Sequence, residues 1–210
     1  MPDALADDPS YDGTPERAEH DETPRVGRPR DPRVDDAIKE AALELLIEEG
    51  YQATSIQAIA RRAGVSVPTI YRRWANKAEL IEEAVFPAPF IEPTETSGDI
   101  RRDLAAYCKG IIEHLGDSAV RAAIPGLLTE YQTDPDMWIR LVRRSVTPMR
   151  EAFAAFLKRT RRKPAGSVDV LFDVMMAALF VRAINSGALD ADAFAREVAI
   201  IVAAALGEGS

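Results

Sequence analysis

Residues 66–74 read SVPTIYRRW and carry the side chains of this chain best suited to chemistry on a partner. On a helix, Ile70 and Trp74 share one face, while Val67, Pro68, Thr69, Arg72 and Arg73 take the opposite one, with Tyr71 at its flank. An arginine guanidinium gives guanine O6 and N7 two parallel hydrogen bonds, and Thr69, Val67 or Pro68 can touch a thymine methyl. That is the chemistry of reading base edges in a DNA major groove. The plainer reading, two arginines solvating a surface helix, leaves unexplained the glycine turn and the second short helix that precede it.

A second basic stretch, PRVGRPRDPR at residues 24–33, sets four arginines against one aspartate. Its GRPR core matches the AT-hook, an extended element lying in the narrow A·T minor groove, where negative potential attracts arginine. Pro29 and Pro32 keep the residues before them extended, so Arg28 and Arg30 are expected on an arm ahead of the first helix. An exposed basic linker without sequence preference is the alternative.

The formal net charge of -8 is unevenly spread. Residues 1–24 hold eight acids and one base, residues 25–77 ten bases and seven acids, and the rest fifteen bases and nineteen acids. An acidic total therefore says nothing against a basic nucleic-acid surface. Residues 1–24 lack apolar periodicity and are expected to be a disordered acidic tail; nor do they carry the apolar run of a signal peptide.

Other chemistries are poorly supplied. The single cysteine, Cys108, excludes an intramolecular disulfide, and neither a structural zinc site nor a CxxC motif can be built. Two histidines, His20 and His114, are present, and no GxGxxG, P-loop, HExxH or GxSxG motif occurs. We expect no catalysis, no cofactor and no metal. The carboxylate pairs Glu82 with Glu83 and Asp169 with Asp173 read as solvated or capping charges. The most apolar stretch, VLFDVMMAALFV, is interrupted by Asp173 and too short to span a bilayer, so a soluble cytoplasmic protein without a membrane partner is expected.

The elements that must position these residues are helices throughout. Asp31 and Pro32 open a helix over 32–49, with apolar residues at Val34, Ile38, Ala41, Ala42, Leu45 and Leu46 and Gly50 as its stop. Thr54 or Ser55 caps a short helix burying Ile56, Ile59, Ala60 and Ala63. Gly64 supplies a left-handed turn, and Ser66 caps the helix that carries Arg72 and Arg73. Asn76 with Glu79 starts a further helix through Phe86 in a capping-box pattern. Three prolines within residues 87–98 mark a boundary. Five helical stretches follow, near 99–115, 118–132, 135–161, 166–185 and 191–206, where Pro125 and Pro148 are expected to kink or divide their helices.

The span from GYQATSIQAIARRAGVS to YRRWANKAELIEEAV resembles the DNA-binding domain of TetR-type bacterial transcriptional regulators, specifically over residues 33–86. The resemblance implies an all-α fold of about nine helices. An N-terminal three-helix helix-turn-helix domain with its basic arm (25–86) and a linker (87–98) would lead into a helical ligand-binding and dimerisation domain (99–210). It implies phosphate or base contacts by Ser55 and Gln57, and base or phosphate contacts by Thr69, Arg72 and Arg73. It also implies phosphate contacts by Tyr71 and Lys77. Val67 stands where many relatives carry a polar residue or glycine, which favours a thymine-methyl contact there.

It further implies a homodimer through the last two helices, binding a palindromic DNA operator as a repressor, with a small-molecule effector held in the body. The helix at 168–184 is apolar almost all round, and the helix at 191–206 sets Phe194, Val198, Ile201, Val202 and Ala205 on one face, as such an interface requires. Aromatic residues and methionines suited to an adaptable apolar or amphipathic effector site are Tyr107, Cys108, His114, Met137, Trp138, Met149, Phe153, Phe156, Met175, Met176 and Phe180. The competing class is an AT-hook-assisted architectural protein that coats A·T-rich DNA without an inducer.

Overall fold

A computed structural model describes residues 31–87, 97–162, 164, 166–186 and 190–207. The acidic tail, the arm with Arg28 and Arg30, His20 and most of the 87–98 segment lie outside the described residues.

The first helix, α1 (Pro32–Ala53), is two helices merged across Gly50, whose φ of 75° breaks the spiral where the sequence places its stop. Ser55 caps α2 (Ile56–Arg62) by accepting from the Ala58 amide at 3.2 Å. Gly64 then takes φ 66°, a conformation open to glycine at little cost, and the chain turns into α3 (Val67–Tyr71). The hydroxyl of Ser66, expected as a cap, meets the Thr69 hydroxyl at 2.8 Å and makes no capping bond. Asn76 caps α4 (Lys77–Val85) through the Glu79 amide, while the Glu79 carboxylate accepts from the Ala75 amide at 2.7 Å. Ile38, Leu45, Ile59, Ile70, Trp74 and Leu80 fill the small core that joins these four helices.

The body comprises α5 (Ile100–Leu115), α6 (Ser118–Thr133), α7 (Pro135–Leu141), a π-helical turn (Val142–Val146), α8 (Thr147–Arg159), α9 (Val168–Ser186) and α10 (Ala191–Ala205). Counting 135–159 as one bent helix leaves nine among the described residues. Pro148 acts as expected on that stretch: the π turn precedes it, and the Thr147 amide reaches back five residues to the Val142 carbonyl. Pro125 does not divide α6. The carbonyl it deprives of a donor belongs to Arg121, an exposed position where water can serve instead.

The body core also crosses the expected boundary. Leu46 and Tyr51 of α1 and Ala78, Ile81 and Val85 of α4 pack in one cluster with Leu104, Ile111, Leu127 and Phe153. Residues 32–207 thus belong to one compact unit, with α1 and α4 shared between the head and the body.

Candidate nucleic-acid interface and body cavity

On α3 the burial of Ile70 and Trp74 fixes which side faces out. Pro68, Tyr71 and Arg72 are exposed, Tyr71 at 52%, and Thr69 is half-buried. Arg72 Nη2 donates to Thr69 Oγ1 at 3.0 Å, which in turn meets Ser66 Oγ, so a short polar chain holds the guanidinium at the surface. Gln57 is exposed at the start of α2, and Ser55 is half-buried with its oxygen engaged in the cap.

Three of the expected contact residues stand otherwise. Arg73 is turned inward: Nε donates to the Asp35 carboxylate of α1 and Nη1 to the Thr69 carbonyl at 3.0 Å, with 13% of its side chain exposed. Val67, the first residue of α3, is half-buried and packs against the head core. Lys77 donates from Nζ to the Tyr51 carbonyl at 2.9 Å and lies 4.2 Å from the centre of the Tyr51 ring. Burial there holds its ammonium pKa below the usual lysine range, against the pull of Glu130.

Helix α4 is pinned from both sides by adjacent carboxylates. Glu83 accepts from Trp74 Nε1 at 2.9 Å and pairs with Lys39 at 2.8 Å, both in the head. Glu82, only 3% exposed, pairs with Arg144 of the π turn at 2.9 Å. Burial raises the Glu82 carboxyl above its ordinary range, with Arg144 acting against that shift. These residues are therefore not solvated charges, because helical spacing turns neighbours about 100° apart toward different partners. Nearby, the Tyr51 hydroxyl donates to Glu130 of α6 at 3.1 Å, and its ring lies where a Cβ on Gly126 would stand. Head and body are thus joined by α1 to α6 and by α4 to the π turn.

Between α6, α7, the π turn, α8 and α9 lies a cavity of about 520 Å³, bounded also by Phe86 at the end of α4 and Leu115 of α5. Of the residues singled out in the sequence, Trp138, Met149, Met176 and Phe180 line it. Tyr107, Cys108, Met137, Phe153, Phe156 and Met175 are buried in the core instead, where their apolar bulk fills the spaces between helices. His114 points to α4, with Nε2 donating to the Val85 carbonyl at 2.8 Å. Burial pushes the Cys108 thiol up to about 12, so it stays protonated and inert.

Tyr131, Ser145, Arg150, Phe172 and Asp173 also line the cavity and are not among the residues expected there. Arg150 pairs with Asp173 and, more distantly, with Asp169, and its guanidinium lies over the Phe172 ring. The charges interrupting apolar α9 were the available signal for this pair. Nothing local marks Ser145, whose direction depends on the π turn.

Helices α9 and α10 leave apolar side chains outward. Val170, Val174 and Val181 are each about 60% exposed, and Ile200 and Ile201 are exposed at 47% and 66%. Val198, Ile201 and Val202 were expected together on an interface face; instead Val198 and Val202 are buried where α10 packs on α5, and Ile201 alone of the three stays outward.

Residues 38–84 match the family model described as bacterial regulatory proteins, tetR family, and residues 94–202 match a tetracyclin repressor-like C-terminal domain. Over 164 residues the chain is 34% identical to the DNA-binding transcriptional repressor TetR of Mycobacteroides abscessus, spanning 75% of this chain and 85% of that relative. The solved TetR family transcription regulator SCO0332 is 25% identical, with a TM-score of 0.63 over 81% of this chain and 97% of its own. A transcriptional regulator from Rhodococcus sp. Rha1, 19% identical, shares the fold at a TM-score of 0.60 over 82% and 96% of the two chains.

Proposed function

The chain belongs to the TetR family of DNA-binding bacterial regulatory proteins, and from that premise we propose that it is a homodimeric repressor that an apolar or amphipathic effector releases from a palindromic operator. The observation that carries the reading is α3 itself: its back is locked by Ile70, Trp74 and Arg73, and its front offers Pro68, Tyr71 and Arg72 to a groove. Arg72 reads a base edge, Thr69 orients it, and Tyr71, Ser55 and Gln57 hold phosphates. Arg73 acts by positioning α3, and Lys77, with one of its three N–H donors held by the Tyr51 carbonyl, offers the others to a phosphate. Arg28 and Arg30 follow the adjoining minor groove, most tightly where it is A·T-rich.

The outward valines and isoleucines of α9 and α10 support a four-helix dimer interface, because a contiguous apolar face of that kind marks an association surface. Such a dimer sets two α3 helices about 34 Å apart, one turn of duplex. The cavity falls within the roughly 300–1,000 Å³ of small-molecule sites, and its walls join the elements that hold α4. An effector that binds the DNA-incompetent arrangement more tightly shifts the population toward it.

Fluorescence anisotropy with labelled operator tests the reading. Arg72→Ala should lower affinity at least about fivefold while the dimer persists, as expected for loss of a bidentate base contact of roughly 1–3 kcal/mol. Undiminished binding would sink the assignment of α3 as the reading element.

A further inference from the structure

The inner wall of the cavity carries hydroxyls that the protein itself leaves unmet. Ser145 is 5% exposed and lines the cavity, and its Oγ has no hydrogen-bond partner among the described residues. Tyr131 lines the same cavity from α6, its buried hydroxyl beside the Glu82 carboxylate without an aligned hydrogen bond to it. Glu82 Oε2 is likewise buried and unpartnered, since Arg144 engages Oε1. Buried polar groups in folded proteins are nearly always paired; Tyr131 and Glu82 Oε2 are placed to serve each other, which leaves the Ser145 hydroxyl and the accepting side of the Tyr131 oxygen to be explained.

Resting on the effector reading above, we propose that the molecule taken by this cavity is uncharged and bears a hydroxyl group, held at the inner wall by Ser145 and Tyr131. Donors and acceptors then match. Tyr131 donates to Glu82 Oε2, the ligand hydroxyl donates to the Tyr131 oxygen, and Ser145 donates to the ligand oxygen. An ether or ketone oxygen satisfies Ser145 but leaves the Tyr131 oxygen unmet, and a run of aligned hydroxyls strengthens each bond in it.

A charged group fits worse. The two charged residues lining the cavity, Arg150 and Asp173, already neutralise each other and sit toward solvent, with 34% and 58% of their side chains exposed. At the inner wall Arg144 is committed to Glu82, so a ligand ion there would be buried without a counter-ion. The rest of the wall is apolar, including Leu127, Trp138, Met149 and Phe180. The ligand is thus an apolar alcohol, and its hydrogen-bond chain ends on the carboxylate that ties α4 to the body.

Calorimetric titration of the full chain with 1-octanol, 1-methoxyoctane and octanoate tests this. The alcohol should bind at least about fivefold more tightly than the ether or the acid, the scale of one net hydrogen bond. Ser145→Ala and Tyr131→Phe should each bring the alcohol to the level of the ether. Equal affinity for alcohol and ether, tighter binding of octanoate, or an alcohol preference that both variants keep would overturn the inference and leave the effector reading standing. Absence of binding by all three would overturn the effector reading as well.

Discussion

Arg72 and Arg73 are adjacent in sequence and separate in role. The helical period places both outside the Ile70 and Trp74 face, but a step of about 100° lets one extend and the other fold back. What selects Arg73 is Asp35, thirty-eight residues earlier, which no local pattern reveals. Arg72→Ala should leave stability within about 0.5 kcal/mol, because it is an exposed side chain. Arg73→Ala should cost roughly 1.5–3 kcal/mol, since it removes charged hydrogen bonds and leaves Asp35 without its partner. Urea denaturation of the two variants separates the roles, and equal losses would contradict them. Ser145→Ala deletes an unmet buried hydroxyl and should raise the melting temperature of the ligand-free chain; a fall would show that the hydroxyl is satisfied within the protein.

At the scale of elements, α4 links head and body. Gly126 lets the Tyr51 ring lie against α6, and a Cβ there would stand 2.0 Å from that ring. Gly126→Ala should destabilise the fold by about 1–3 kcal/mol through overpacking, measured by thermal denaturation. Beneath the end of α4, burial depresses the His114 pKa, so the folded chain keeps the imidazole neutral where the unfolded chain takes up a proton. Stability is therefore lost as pH falls below about 6.5. His114→Gln, which keeps a donor for Val85, should show a smaller fall in melting temperature between pH 7 and 5.5; an unchanged slope would contradict this. The caps at Ser55 and Asn76 and the breaks at Gly50 and Gly64 were legible because each is decided within a few residues. The cavity was only partly legible because its wall is assembled from helices distant in sequence. Whether Met175 or Met176 faces it depends on how α9 is rotated among its neighbours.

For the whole molecule, the division of charge seen in the sequence, a basic N-terminal stretch and an acidic body, leaves the exposed apolar side chains of α9 and α10 as the surface on which the proposed dimer rests. Val174→Lys combined with Ile201→Lys should convert the proposed dimer to monomers in light scattering at micromolar concentration, with little change in protomer stability, because both side chains are exposed at about 60% or more. A persistent dimer would place the interface elsewhere. Loss of the dimer should also weaken operator binding, since each half-site alone supplies only part of the contacts.

Selection of bound fragments from random duplex DNA by the full chain tests the central claim most directly. Recovered sites should show two-fold symmetry, half-sites about one helical turn apart, and guanine at the position whose preference Arg72→Ala relaxes. Recovery of A·T tracts without symmetry, unchanged by Arg72→Ala, would contradict it.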